Sequence, residues 1–359
     1  MKLFAGQYRG RCVLVIGHTG FKGSWLTLWL SELGAEVTGL ALPPNTIPNH
    51  WSLLDLDIPQ YLQDIRDAEA VVSIIKETRP EIVFHLAAQP LVRQSYRNPL
   101  ETWSTNVMGT ANVLEACRKT PSVRAIVVVT SDKCYENKEW TKPYCESDRL
   151  GGYDPYSASK AAAELVSASY RSAFFDSSDT PLLATARAGN VIGGGDWSED
   201  RLIPDLVRAI LKKAPLEIRS PKATRPWQHV LESLSGYLML GQKMLERNQE
   251  AAQGWNFGPE LEGNRTVTEV LVRLKAHWPE LLWTELQEPQ PHEATLLNLD
   301  CTKAKTQLGW RPIWDFDETL AVTANWYRSF YGEGKLRSRE QLASYISAAQ
   351  ASGIEWSKA

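Results

Sequence analysis

Cys12-Val13-Leu14-Val15-Ile16-Gly17-His18-Thr19-Gly20-Phe21-Lys22-Gly23-Ser24-Trp25-Leu26 is the stretch that decides the fold. The unbroken apolar run from Cys12 to Ile16 reads as a strand buried on both faces. Ser24 to Leu33 carries helical spacing, and Gly34 follows where a left-handed cap belongs. Gly17, Gly20 and Gly23 therefore fall on a strand-to-helix turn. Gly17 permits the tight turn, Gly20 lets backbone approach a phosphate, and Gly23 lets the helix pack on the strand. Amides at such a helix start attract an anion, so the turn is a candidate cradle for a dinucleotide pyrophosphate.

Outward from this unit the pattern repeats. AEVTGLAL, EIVFHLAA, AIVVVTS and LLATARAGNV read as further buried strands, and the stretches near 24–33, 67–78, 101–118 and 157–175 as helices. Strand and helix alternating in this way predict an α/β fold, a Rossmann-type doubly wound parallel sheet with right-handed crossovers. After about residue 190 the texture becomes loop-rich, as in GGGDW, RSPKATRPWQH and FGPELEGN. That suits a smaller mixed α/β substrate-binding lobe at the carboxyl edge of the sheet. The expected organisation is a dinucleotide-binding domain over 1–188 with a returning segment near 228–256. The lobe is expected over 189–227 and 257–335, and a polar, loosely packed C-terminal tail over 336–359.

Composition narrows the function. A net charge of −3 gives no reason to expect a nucleic-acid partner. No apolar stretch approaches the ~20 residues of a membrane span, and MKLFAGQYRGR lacks the apolar core of a secretory signal. Cys12, Cys117, Cys134, Cys145 and Cys301 form no C-x-x-C pair, which speaks against a disulfide framework or a metal site. The expectation is a cytoplasmic protein.

Tyr156-Ser157-Ala158-Ser159-Lys160 places a phenol and an ammonium on one helical face. Asp154 and Pro155 precede them as N-cap and first-turn proline. A free phenol titrates near ~10, so Tyr156 works as a base only where cations stabilise its phenolate. Lys160 and a nicotinamide ring are candidates for that role. The strand ending Thr130-Ser131-Asp132-Lys133 should emerge at the same edge, with Ser131 orienting a substrate hydroxyl. The Asp132-Lys133 pair adds a second donor and acceptor, which suits a reaction with more than one proton transfer, such as loss of water. By composition alone, a loop ion pair explains it too.

The adenine end is less legible. The place that holds an acid in many dinucleotide folds reads Gly39-Leu40-Ala41-Leu42-Pro43-Pro44, so NAD and NADP are not distinguished. Asp64 and Ile65, after the next strand position, are the substitute candidates. A solvated helix start fits that spacing equally.

These residues, in this order, resemble the extended short-chain dehydrogenase/reductase family, in its NAD-dependent epimerase/dehydratase group. Within it the chain is similar to nucleotide-sugar 4,6-dehydratases of the CDP-sugar branch. GHTGFKGSWL, HLAAQPLVRQSY, TSDKCYEN, GGYDPYSASK, RAGNVIGGGDW, RLIPD, RPWQHVLE, GWNFGP and HEATLLNLDCTKAKTQLGW carry the resemblance over nearly the whole chain. It implies an NAD-dependent hydro-lyase acting on CDP-glucose with tightly held NAD. Tyr156 would take the carbon 4 hydroxyl proton during oxidation, Lys133 the carbon 5 proton, and Asp132 would protonate the departing carbon 6 hydroxyl. The product, CDP-4-keto-6-deoxyglucose, would feed deoxysugar and lipopolysaccharide synthesis. Related dTDP-glucose enzymes carry Asp-Glu where this chain has Asp132-Lys133. A lysine is a base only when neutral, so how the pair divides acid and base work stays open.

The resemblance also assigns Thr19, Phe21, Lys22, Leu86, Ala87, Ala88 and Asn106 to the cofactor. It assigns Gln89, Arg93, Asn190, Arg201, Leu202 and Ile203 to the nucleotide sugar. Arg225 is the choice for the pyrophosphate, since a guanidinium fork matches two phosphate oxygens. His229 and His292 would be hydrogen-bonding walls, and Trp197 would line the nucleotide pocket. Asn106 as a capping amide and Arg225 as packing stay open. A nucleotide-sugar epimerase would share Tyr156 and Lys160 without needing Asp132-Lys133; a non-catalytic nucleotide sensor is a third reading. Apolar residues on several faces of the helices near 101–118 and 157–175 (Val107, Val113, Leu114, Ala161, Ala162, Leu165, Val166) suit a homodimer or homotetramer.

Overall fold

The computed structural model describes residues 3–286 and 296–358. Seven parallel strands form the central sheet: β1 (Cys12–Ile16), β2 (Glu36–Ala41), β3 (Gln60–Leu62), β4 (Ile82–His85), β5 (Ala125–Val129), β6 (Leu182–Ala188) and β7 (Gly254–Phe257). Their spatial order is β7-β6-β5-β4-β1-β2-β3. Val13 pairs with Val37 on one side and Ile82 on the other, so β1 lies where the strand order reverses. That reversal opens a crevice above the carboxyl ends of β1 and β4, where ligands of this architecture bind.

Alternation along each strand builds two cores. Val13, Val15, Ile82, Phe84, Ala125 and Val127 face one side, with α1 (Phe21–Glu32) and a later helix, Val230–Leu245. Leu14, Ile16, Val83, Ile126 and Val128 face the other, with α2 (Ala68–Thr78) and α3 (Gly109–Arg118). Both faces being covered explains why these strands are apolar throughout rather than alternating.

The stretch read as one helix over 101–118 is interrupted. Pro99–Trp103 and α3 flank a widened turn at Ser104–Met108. The turn carries Asn106 inward, where its amide donates to the Gln89 carbonyl and to Ser159 Oγ, and its oxygen accepts from the Gln89 amide. Helix α4 (Pro155–Phe174) begins as its residues require: Asp154 Oδ1 accepts from the Ser157 amide, with Pro155 in the first turn. Gly34 closes α1 at φ +77°.

Beyond β6 the chain forms short strand pairs, Leu216–Ile218 with Trp283–Glu285 and Thr224–Pro226 with Asn264–Thr266, around α5 (Leu202–Lys212). The helix Val230–Leu245, α6, returns beneath the sheet and is buried along almost its whole length. The C-terminal segment is not loosely packed, contrary to the expectation from its polarity. In α8 (Ser338–Ala351), which follows α7 (Phe316–Glu333), Ser338, Gln341 and Tyr345 are buried and bonded. Ser338 Oγ meets His50 Nε2 at 2.8 Å and accepts from the Trp326 indole, and Tyr345 donates to Glu232. Trp356 stacks on Phe4 at 4.9 Å, so both ends of the described chain close one core.

Candidate active site

A cleft of about 880 Å³ runs over the carboxyl edge of the sheet and under the lobe. Its first wall is the glycine turn: Gly17, Thr19, Gly20, Phe21, Lys22 and Gly23 all line it. Gly17 sits at φ +97°, and a Cβ there would lie 2.6 Å from the Ala87 amide nitrogen. Only glycine lets β1 and the loop after β4 approach this closely. Thr19 Oγ1 donates to the Leu42 carbonyl. Amides in the first turn of α1 have no helical acceptor, so this wall offers donors to an anion. The turn and its half-buried Lys22 thus fit the diphosphate of a dinucleotide. Burial pushes the Lys22 ammonium down to about 7, with the Arg201 charge adding to the effect. Its Nζ reaches Tyr237 Oη at 3.2 Å.

Asp64, Ile65, Leu86, Ala87 and Ala88 continue that wall. Asp64 holds Arg66 through two bonds of 2.6 and 2.9 Å, and the guanidinium keeps its carboxyl below the ordinary range. Asn106 is not in the wall; it stands behind it and pins the Gln89 loop to α4.

The middle of the cleft holds Ser131, Asp132, Lys133, Tyr156 and Lys160. Ser131 caps a tight turn over Asp132–Cys134: its Oγ accepts from the Lys133 amide and donates to Asp132 Oδ1 at 2.9 Å. Asp132 Oδ2 is buried without a partner among the described residues. Burial pushes the Tyr156 phenol up to about 12, opposed first by the hydrogen bond with Ser131 and then by the Arg201 charge. Lys160 is buried and pushed down to about 8; its Nζ donates to the Val129 carbonyl at 3.2 Å. The charge that opposes the burial effect at Tyr156 is thus Arg201, from the lobe.

Behind Lys160 lies a network the residue pattern did not disclose. Glu164, one turn further along α4, accepts from Thr130, Thr185 and Arg187, the last at 2.8 Å. Arg187 also donates to Tyr135 Oη and stands 5.2 Å from that ring's centre. The one available signal was the Tyr156, Lys160, Glu164 spacing on a single helix face. Gly189 was also missed. A Cβ there would lie 3.0 Å from Asp132 Oδ2, so glycine keeps this carboxyl oxygen uncrowded.

Gln89 and Arg93, after β4, and Asn190, Arg201, Leu202, Ile203 and Arg225, beyond β6, line the rest of the cleft. Arg201 is tied to Asp196 at 2.9 Å, and Arg225 Nη1 donates to the Thr224 carbonyl. Trp197 also borders the cleft, but its indole donates to Tyr331 and its ring packs among Trp326, Tyr327 and Phe330. His229 departs from expectation. It is fully buried at the start of α6, outside the cleft lining, where Nδ1 accepts from the Leu231 amide. Burial holds its imidazole near 3, hence neutral, and makes it a helix cap instead of a substrate wall. His292 lies outside the described residues.

A Rossmann sheet crossed at its carboxyl edge by a Tyr-x-x-x-Lys helix defines the short-chain dehydrogenase/reductase architecture. The chain belongs to the family described as GDP-mannose 4,6 dehydratase, whose model matches residues 14–323. A CDP-glucose 4,6-dehydratase from Salmonella typhimurium is 47% identical over 350 residues, covering 95% of this chain and 98% of that protein. Among solved structures, the epimerase Mth375 from Methanothermobacter thermautotrophicus aligns with a TM-score of 0.82 at 25% identity, covering 93% of this chain and 97% of that one. The dTDP-glucose 4,6-dehydratase DesIV from Streptomyces venezuelae, solved with NAD bound, aligns at 0.76 and 25% identity, covering 89% and 98%.

Proposed function

We propose that this chain converts CDP-glucose to CDP-4-keto-6-deoxyglucose and water as a step of deoxysugar biosynthesis. The carrying observation is the Ser131-Asp132-Lys133 turn beside Tyr156, with a buried carboxyl oxygen in it that has no partner among the described residues. The similarity to a CDP-glucose dehydratase at 47% identity supports the same reading. The glycine turn, Asp64, Ile65 and Lys160 would hold NAD, as the NAD-bound dehydratase and epimerase neighbours support. Bound there, NAD would supply the acceptor for the hydride of sugar carbon 4 and the source of the hydride at carbon 6.

The chain's own residues do the proton work. Tyr156, held by Ser131, takes the proton of the carbon 4 hydroxyl. The resulting ketone acidifies carbon 5, whose proton Lys133 removes and gives back to carbon 5 once the hydride has reached carbon 6. Asp132 delivers a proton from Oδ2 to the carbon 6 hydroxyl, which leaves as water. Ser131 occupies the other carboxyl oxygen and so aims the free one at the sugar. Incubation with CDP-, dTDP- and UDP-glucose and GDP-mannose, followed by mass spectrometry, tests this. Loss of one water from CDP-glucose is expected, and an unchanged mass would mean epimerisation or no reaction.

Within the same reading, residues 189–227 and 257–335 form the substrate lobe on a 1–188 dinucleotide-binding domain with its returning 228–256 segment. A homodimer would form through Pro99–Arg118 and α4. Leu100, Met108 and Leu165 there are 82, 58 and 59% exposed, whereas Val113, Leu114 and Ala161 are spent inside the subunit. A cytoplasmic location agrees with the five free thiols, which such a compartment keeps reduced. No helix among the described residues is long and apolar enough to cross a membrane.

A further inference from the structure

The pyrimidine of the nucleotide sugar must be told apart by its hydrogen-bonding edge. Cytosine offers two adjacent acceptors, O2 and N3, followed by the N4 amino donor. Uracil and thymine offer acceptor, donor, acceptor. A cytosine reader therefore needs donors beside an acceptor, in that order, and the same array clashes with the N3–H and O4 of the other two.

Donors and an acceptor of these kinds stand together in the cleft. Arg219 Nη1 donates to Asp200 Oδ1 at 2.8 Å, and its Nη2 approaches the Asp200 carbonyl at 3.4 Å. Arg93 Nη1, from the segment after β4, donates to the same Oδ1 at 3.0 Å. All three residues line the cleft, with side chains between 22 and 32% exposed. Asp200 Oδ2 has no hydrogen bond among the described residues, and a guanidinium has five N–H donors, so each partner keeps capacity for a ligand. Asp200 holds φ +59°, a conformation Asp tolerates better than most residues and one the two guanidinia brace.

Position and charge point the same way. The glycine turn takes one end of the cleft and Tyr156 the middle, so a hexose at Tyr156 sends its nucleotide toward the lobe, where Asp200 and Arg219 lie. Two guanidinia alone would suit a diphosphate, but a carboxylate held between them opposes an anion and invites an amino group.

We propose that Arg219 and Asp200, braced by Arg93, read the base of the substrate: the guanidinium donates to O2 and N3, and the carboxylate accepts from the N4 amino group. The proposal rests on the reading of the chain as a CDP-glucose dehydratase and adds the residues that select cytosine.

The test compares kcat/KM for CDP-glucose and UDP-glucose, by loss of water, in the wild type, Arg219→Gln and Asp200→Asn. Glutamine presents an N–H donor and a carbonyl acceptor side by side, so it no longer penalises uracil. The preference for CDP-glucose is expected to fall at least ~10-fold in each variant, as when buried partners lose a matching group. A parallel fall for both substrates, with the ratio within ~2-fold, would overturn the proposal and leave the cluster a diphosphate or packing role. Competition by CDP and by its analogue lacking the N4 amino group needs no variant: the wild type should bind the analogue at least ~10-fold more weakly, and equal binding would also overturn it. A wild type inert on CDP-glucose would instead refute the parent reading.

Discussion

Ser131 Oγ donates to Asp132 Oδ1 across 2.9 Å, so one carboxyl oxygen is spoken for while the other, Oδ2, stays buried without a partner among the described residues. A simple dehydrogenase has no use for such a group, because oxidation of an alcohol needs one base. Elimination of water needs an acid as well. The position of Gly189 preserves the space around Oδ2, since a Cβ there would also fall 2.5 Å from Pro226 Cγ. Gly189→Ala should therefore lower turnover by at least ~10-fold, through displacement of the acid. Steady-state assay of the purified variant checks this, and wild-type turnover would place the acid elsewhere.

Tyr156→Phe removes the proton acceptor while keeping the ring. Turnover should fall by about 10²–10⁴-fold, the range general bases contribute. Affinity for CDP-glucose by calorimetry should change little. Retained turnover would reassign the base.

For Lys133→Ala, exchange of solvent deuterium into carbon 5 should be lost while oxidation at carbon 4 continues. Mass spectrometry of recovered sugar, alongside absorbance of the reduced cofactor, separates the two events. Exchange at the wild-type rate would move the carbon 5 base away from residue 133.

Arg201→Gln tests the link between lobe and base. A cation stabilises the charged phenolate, so the Arg201 guanidinium lowers the Tyr156 pKa against a burial effect that pushes it up to about 12. Removing the charge raises the pKa further. The pH at which kcat rises should then move upward by roughly one pH unit at saturating substrate. An unmoved profile would exclude Arg201 as the phenolate's partner.

The buried Glu164–Arg187 pair should matter for stability. Arg187→Met leaves Glu164 charged and unpaired, at a cost of about 3–5 kcal/mol, and adding Glu164→Gln should recover part of it. Burial alone would raise the Glu164 pKa, but Arg187 and the two threonines outweigh it and hold it below the ordinary value. A carboxyl lowered on folding stabilises above its unfolded pKa, and that contribution fades as pH falls through the folded one. Thermal melts between about pH 7 and pH 3 should therefore converge for wild type and double variant; a constant gap would contradict this sign.

Legibility tracked how local each cause was. Strands β1, β4, β5 and β6 were readable because burial on both faces demands unbroken apolar runs. The end of α1 and the start of α4 were readable because Gly34, Asp154 and Pro155 act within one turn, whereas α1 begins at Phe21, inside the glycine turn and ahead of the Ser24 expected. The break at Ser104–Met108 was not, since the Gln89 and Ser159 groups that draw Asn106 inward are distant in sequence. The C-terminal helix misled because polar Ser338 and Gln341 look solvated until His50, Trp326 and the Val322 carbonyl are placed beside them. His229 misled likewise, as a motif histidine that folding makes a buried cap.

The sequence by itself determined the alternation of strand and helix, the glycine turn, and the order of Ser131, Asp132, Lys133, Tyr156 and Lys160, because those follow from periodicity and one-turn chemistry. Tertiary structure alone decided that Arg201 and Tyr156 line one cleft, that Glu164 meets Arg187, and that Arg93 and Arg219 share the Asp200 carboxylate. Such pairings arise only when segments far apart in the chain are pressed into one desolvated space, where each buried charge must find a partner.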